Sequence, residues 1–258
     1  MLTESQKQQL DDEGFVVLED YIPAPMLKEL RERIDELFAR EGENAGSEFR
    51  HEEGARRLAN LVDKGKVFER VISMPEVLDG TGTVIRERFK LSSLNVRSTN
   101  PHTADAQPLH CDMGAIPDEL GYWVSNTVWM IDDFTVDNGA IRAVPGTHKL
   151  GQLPQNVISD IRAPHPDERL ITGRAGTVVI MNAHCWHGGT ANRTDKPRCA
   201  MHSFYCRWDK PQQQWQKQLL RAETQSRLSP ELRALLALDD PENDRITSTN
   251  TVKSGFLK

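Results

Sequence analysis

The chain has 258 residues, with 38 Asp and Glu against 32 Lys and Arg and a formal net charge of −6. No stretch gathers Lys and Arg with interleaved aromatics, so nucleic acid is not an expected partner. No run of about 18 apolar residues occurs, as a membrane span would need, and the start Met1-Leu2-Thr3-Glu4-Ser5 lacks a basic region followed by an apolar run. A cytoplasmic protein with no membrane partner is expected. Four cysteines, Cys111, Cys185, Cys199 and Cys206, show no Cys-X-X-Cys spacing and read as reduced thiols. The length suits one domain, 1–258, built as a β-barrel or sandwich with added helices.

Along the chain, Thr3 with Gln6 forms a capping box, and the helix it starts should end at Gly14. Phe15 to Leu18 follows as a short strand. After Pro23 and Pro25, the apolar residues Leu27, Leu30, Ile34, Leu37 and Phe38 recur at helical spacing, which predicts a helix packed on a sheet. Arg40 to Lys66 is polar and broken by Gly42, Gly46 and Gly54. It reads as loop with a short helix near Ala55 to Val62, a segment able to border a substrate pocket.

Val84 to Val96, Trp123 to Ile131, Ala140 to Val144, Thr177 to Met181 and Arg198 to Arg207 read as strands with turn residues between them. Many strands with few long intervening helices imply an antiparallel architecture, mainly β with flanking helices, of the two-sheet jelly-roll kind. Gln152 to Arg174, with Pro154, Pro164 and Pro166, should run over the barrel mouth. Gln212 to Leu238 has mixed helical patterning, and Asp239 to Lys258 reads as a tail or a lid, the tail being favoured in a lone monomer. The expected subdivision is helical N-terminal elements over 1–80, a jelly-roll core over 81–210, and C-terminal helices and tail over 211–258.

Chemistry concentrates around His110-Cys111-Asp112. In a strand, His110 and Asp112 share a face while Cys111 points the other way. A second imidazole from the distant segment holding His184 and His187 would complete two histidines and a carboxylate on one side of a metal, an arrangement suited to non-heme Fe(II). Alone, His-X-Asp is a weak signal. Zinc held by His184, Cys185 and His187 would need a spacing that suits few zinc sites. Arg198 follows His187 by eleven residues; if it points inward, so do Ala200, His202 and Phe204. Arg142 either faces the cavity to meet an anionic substrate or is a salt-bridged sheet arginine. Trp123, Trp129 and Trp186 are pocket walls or core, and His148 is structural.

Three segments sharpen this: Gln107-Pro108-Leu109-His110-Cys111-Asp112-Met113, Asp137 to Lys149 with its Pro145-Gly146, and Trp186-His187-Gly188-Gly189 leading to Lys196-Pro197-Arg198. With the opening Gln9 to Leu18, this set resembles the phytanoyl-CoA dioxygenase-like family of Fe(II)- and 2-oxoglutarate-dependent oxygenases over most of the chain. The resemblance implies a cupin-like double-stranded β-helix with His110, Asp112 and His187 as iron ligands. It places the third ligand directly before the Gly-rich turn, hence His187, and leaves His184 as a hydrogen-bonded histidine near a strand end. It implies that Arg198 holds the distal carboxylate of 2-oxoglutarate and that Thr127 contacts this cosubstrate. Arg142, Trp186, His202 and Phe204 are the candidate substrate residues.

The expected reaction consumes 2-oxoglutarate and O₂ and hydroxylates an unactivated C–H of a small, polar metabolite or natural-product intermediate. With Asp112 present no coordination position is freed for chloride, which disfavours halogenation. Two other readings are a cupin-like Zn or Mn isomerase or hydrolase, and a non-catalytic jelly-roll binding protein. A homo-oligomer is compatible with the sequence.

Overall fold

The computed structural model describes residues 1–49, 52–103 and 105–249. Helix α1 (Glu4–Glu13) begins at the predicted capping box: the Gln6 amide donates to Thr3 Oγ1 at 3.2 Å, and the Thr3 amide donates to Gln6 Oε1 at 2.8 Å. It ends at Gly14, whose φ of 88° lies in the left-handed region. Strand β1 (Phe15–Leu18) follows immediately. Helix α2 (Ala24–Glu41) buries Leu30, Ile34, Leu37 and Phe38, the stripe expected from helical spacing.

The next segment departs from expectation. Ala55–Leu58 is strand β2, not helix, and a 3₁₀ turn occupies Leu61–Lys64. Arg56, Arg57 and Leu58 find backbone partners across a sheet edge, which overrides a weak local helical preference. Helices α3 (Lys66–Val71) and α4 (Pro75–Ile85) then lead to strand β3 (Phe89–Thr99), so Val84 and Ile85 close a helix instead of opening a strand. The remaining strands are β4 (Val124–Met130), β5 (Ile141–Ala143), β6 (Arg169–Ile171), β7 (Val178–Asn182), β8 (His187–Gly189) and β9 (Arg198–Arg207).

Six strands form one antiparallel sheet in the order β1-β7-β4-β9-β3-β2, and three form a second in the order β6-β5-β8. The main sheet separates two apolar cores. On its outer face, Leu94, Val96, Trp129, Ile180, Met201 and Tyr205 pack with residues of α2, α3 and α4. Between the sheets, Phe15, Val128, Met130, Ile141, Val179 and Met181 pack with Phe134 and Ile171. Since β1 and β2 belong to the main sheet, the sheet draws on residues before 81, and the expected division at 80 does not separate helices from jelly-roll.

The run from Gln152 to Arg174 contains β6, and its Leu153, Ile158 and Ile161 pack on Leu109, Val144 and Trp186. After β9 come α5 (Gln216–Leu219), α6 (Ala222–Arg227), α7 (Pro230–Leu235) and α8 (Pro241–Ser248). The last corrects the expected tail: Asp240 caps α8, and the buried Asn243 donates to Gln212 Oε1 at 3.1 Å. The rest of that expected tail, 250–258, lies outside the described residues. Among the described residues no helix is long and apolar enough to cross a membrane.

A methyl group at Gly14 would approach His148 Nδ1 to 2.7 Å in addition to its left-handed strain. Gly14→Ala is therefore expected to lower the unfolding free energy by about 2 kcal/mol in a denaturant titration.

Candidate metal and carboxylate site

His110 sits opposite His187 in an isolated antiparallel bridge: the His110 amide donates to the His187 carbonyl at 2.9 Å, and the His187 amide returns a bond of 3.0 Å to the His110 carbonyl. The two glycines after His187 permit this approach. They lie within β8 and not in a turn, and a Cβ at Gly188 would stand 3.1 Å from both the Gln107 and Pro108 carbonyl oxygens. Asp112 does not continue a strand. It opens a 3₁₀ turn (Asp112–Gly114), its amide donating to the Ala183 carbonyl at 2.9 Å, and this turn returns its carboxylate to the same place as the two imidazoles. Cys111 points away, into the cluster with Leu109, Val144 and Trp186.

Both imidazoles are oriented through Nδ1. That of His110 meets the Pro108 carbonyl at 2.9 Å and that of His187 meets the Cys185 carbonyl at 2.8 Å. A carbonyl only accepts, so Nδ1 carries a proton in each ring, and Nε2 turns toward Asp112 as a lone pair for a metal when the ring is neutral and as a donor to the carboxylate when the ring is protonated. His110 Nε2 lies 3.7 Å from Asp112 Oδ1, and His187 Nε2 lies 3.3 Å from Asp112 Oδ2. One ligand atom from each of the three residues falls within 4.8 Å of the others, the distance over which a single metal ion bridges its donors.

Burial alone would raise the Asp112 carboxyl, but the His187 charge and hydrogen bonds from both imidazoles outweigh it and hold the group well below the carboxylate range. Burial and the neighbouring His187 lower His110, whereas for His187 the Asp112 carboxylate outweighs burial and raises the imidazole. Asn126 donates to Asp112 Oδ2 at 3.1 Å, while its own Oδ1 is buried without a partner.

The three side chains open on a cavity that lies between the sheets. Arg198 is at its far wall, 4% exposed, donating to the Gly139 carbonyl at 2.8 Å and to Thr99 Oγ1 at 3.2 Å, with its guanidinium 3.9 Å above the Phe134 ring. Among the described residues no carboxylate forms an ion pair with it. Burial, reinforced by Arg97, pushes its pKa down to about 9, so it remains a cation at neutral pH. A buried guanidinium without a counter-ion calls for an anionic ligand.

Strand parity distributes the other candidates. His202 and Phe204 line the cavity, stacked at 6.2 Å, on the same face of β9 as Arg198. Thr127 does not: it lies on the outer face of β4, where its hydroxyl meets Ser203 Oγ and accepts from Trp129 Nε1 at 2.9 Å. The cavity positions of β4 are Asn126 and Val128. Arg142 is 2% exposed and spans Glu168 at 2.7 Å and the Arg162 and Ala163 carbonyls, which is the salt-bridged alternative and not a substrate contact. Trp186 is buried, donating from Nε1 to the Gln152 carbonyl at 2.8 Å, and neither it nor Trp123 nor Trp129 lines the cavity. His184 is held by Asn182 Oδ1 at 2.9 Å, and the Cys185 thiol turns toward the Val144 carbonyl at 3.2 Å, away from a zinc arrangement with His187.

The family model for phytanoyl-CoA dioxygenase (PhyH) matches residues 10–200, which include the metal cluster and Arg198. The chain belongs to the phytanoyl-CoA dioxygenase family. A dioxygenase of Aspergillus fumigatus, af480, is 26% identical to it over 189 residues, 70% of this chain and 58% of that protein, so the match spans little more than half of that relative's length. The L-proline trans-4-hydroxylase of Streptomyces griseoviridis is 24% identical over 231 residues, covering 76% of this chain and 83% of the hydroxylase.

Among solved structures, HygX from Streptomyces hygroscopicus with nickel, 2-oxoglutarate and hygromycin B bound superposes with a TM-score of 0.66 at 16% identity, covering 82% of this chain and 90% of HygX. The epimerase SnoN, in complex with Fe³⁺, alpha-ketoglutarate and nogalamycin RO, superposes with a TM-score of 0.64 at 19% identity, covering 80% and 84%. This PhyH-family chain therefore has the double-stranded β-helix fold expected from its strand pattern.

Replacing Arg142 would strand Glu168 and two carbonyls. Arg142→Ala is expected to cost about 3 kcal/mol of stability, measured by denaturant unfolding, as for other broken buried ion pairs.

Proposed function

We propose that this protein is an Fe(II)- and 2-oxoglutarate-dependent dioxygenase, folded as one domain, that hydroxylates a C–H bond of a small molecule. The observation that carries the reading is the buried, uncompensated Arg198 guanidinium across one cavity from two imidazoles and a carboxylate whose lone pairs converge. The donor set fits the metal: two neutral nitrogens and one anionic oxygen on one side, with the cavity side left open, match the facial triad of non-heme iron. His110, Asp112 and His187 would hold Fe(II), and Arg198 would bind the distal carboxylate of 2-oxoglutarate. With Fe(II) bound, the site would couple oxidative decarboxylation of 2-oxoglutarate by O₂ to oxidation of the substrate, releasing succinate and CO₂.

The chain's own residues supply geometry and exclusion of water. The Pro108 and Cys185 carbonyls fix the two imidazoles, Asn126 fixes the carboxylate, and Phe134 with Val128 and Ile141 walls the space between metal and arginine. The unpartnered Asn126 Oδ1 can accept from a group bound beside the metal, and Gln107, whose Oε1 accepts from the Gly189 amide at 2.9 Å, lines the same cavity. A zinc or manganese isomerase on the same fold would have no use for a buried cation at Arg198.

Anaerobically Fe(II)-loaded protein exposed to O₂ together with a pooled metabolite extract as the source of oxidisable substrate is expected to form succinate from 2-oxoglutarate. Asp112→Ala and His187→Ala should abolish this, whereas His184→Ala should not. Arg198→Gln should raise the half-saturating 2-oxoglutarate concentration about 10- to 100-fold, the loss of a charge-assisted contact worth about 1.5–3 kcal/mol. No succinate from the metal-loaded wild type, or unaltered turnover in the His187 variant, would sink the assignment.

A further inference from the structure

The inner face of the main sheet is charged at one end. Arg57 on β2 and Arg97 on β3 are register partners, both lining the cavity, with side chains 11% and 12% exposed. Between them lies Glu52, 3% exposed, which pairs with the Arg57 guanidinium and meets Arg97 Nη2 at 2.8 Å. Glu52 does not itself line the cavity, and it is the carboxylate that both guanidiniums reach among the described residues. Burial would raise its pKa, but Arg97 and Arg57 together hold it at about 2, so it stays ionised. Among the described residues this cluster holds two guanidiniums and one carboxylate, a net positive charge. Its field reaches the neighbouring His202: burial first, then Arg57 and Arg97, push that imidazole down to about 3.

The cofactor site does not use this surplus. On the functional reading above, a divalent metal, the Asp112 carboxylate, dianionic 2-oxoglutarate and Arg198 sum to zero. Arg97 lies next to the cosubstrate anchor, since its Nη1 and Arg198 Nη2 both donate to Thr99 Oγ1, at 2.7 and 3.2 Å. Arg57 is one strand further out. Its strand is two spacings from β9, roughly 10 Å of backbone separation. Around it the cavity wall carries Asn95, Gln107 and Gln213 and the ring of Phe49.

We infer that Arg57, backed by Glu52 and Arg97, receives a negatively charged group of the substrate, so that this oxygenase acts on small organic anions bearing a carboxylate or phosphate. This rests on the oxygenase reading. Glu52 acts as a positioning residue, aiming both guanidiniums while leaving the outer one a net attraction for an anion.

The test uses anaerobic protein loaded with Fe(II) and saturating 2-oxoglutarate, with inorganic phosphate and acetate as probes against chloride at equal ionic strength. Both probes should raise Tm by a few degrees in the wild type and in Arg57→Lys, but not in Arg57→Gln. The colour of the Fe(II)–2-oxoglutarate chelate should develop at the same cosubstrate concentration in Arg57→Gln as in the wild type. A Tm rise that persists in Arg57→Gln, or is missing from the wild type, overturns the assignment. So does a shift of chelate formation in Arg57→Gln as large as that in Arg198→Gln, which would give Arg57 to the cosubstrate. Failure of the chelate to form in the wild type would instead count against the oxygenase reading. Independently of any variant, compounds that stimulate succinate formation should lose that effect when their carboxylate or phosphate is replaced by an amide or alcohol. Equal stimulation by the neutral member of a pair overturns the proposal.

Discussion

Two backbone hydrogen bonds between His110 and His187 govern the site. They join a segment outside the named strands to the edge of the smaller sheet, and they set the two rings at a centroid distance of 4.5 Å. Everything else around the cluster serves this bridge. Gly188 leaves room for the incoming chain, the Pro108 and Cys185 carbonyls choose the tautomer of each ring, and the turn at Asp112 supplies the carboxylate. Main-chain bonds of this kind are insensitive to side-chain identity, so the positions of the imidazoles are set by the fold before any ligand arrives.

The cavity built on this bridge is electrostatically sided. Val128, Phe134 and Ile141 give it apolar surface, while β9, β3 and β2 contribute Arg198, Arg97 and Arg57. Burial keeps His202 neutral in the middle of that charged wall. On the proposed oxygenase reading, this contrast between hydrocarbon and guanidinium would orient an amphipathic molecule by its charge.

Local patterns were legible in the sequence where one element sufficed to specify them. The Thr3–Gln6 box, the Gly14 stop, the stripe of α2 and the full extent of β9 follow from spacing and capping chemistry alone. The cluster of His110, Asp112 and His187 came from motif and resemblance, although the expected reason for the first pair, a shared strand face, differs from the turn that brings Asp112 round. What escaped was parity and tertiary pairing. Thr127 and Asn126 are adjacent, and only the register of β4 against β7 and β9 decides which one meets the cavity. Arg142 and Trp186 found partners within the intervening run, Glu168 and the Gln152 carbonyl, that no periodicity announces. Arg57 and Glu52 sat in a polar stretch without strand alternation, and the edge pairing with β3 is what gave them a place.

Strand β3 carries two separate tasks on alternating residues. Ser93, Asn95, Arg97 and Thr99 face the cavity side, while Leu94 and Val96 are held in the helix-covered core. Alternation along the strand therefore puts the packing of Leu94 and Val96 on the opposite side of the sheet from the cavity. Asn95 and Arg97 meet the cavity directly, whereas Leu94 and Val96 act on it only through the sheet. A sheet divided in this way gives the scaffold room to diversify its substrates while one metal centre stays in place.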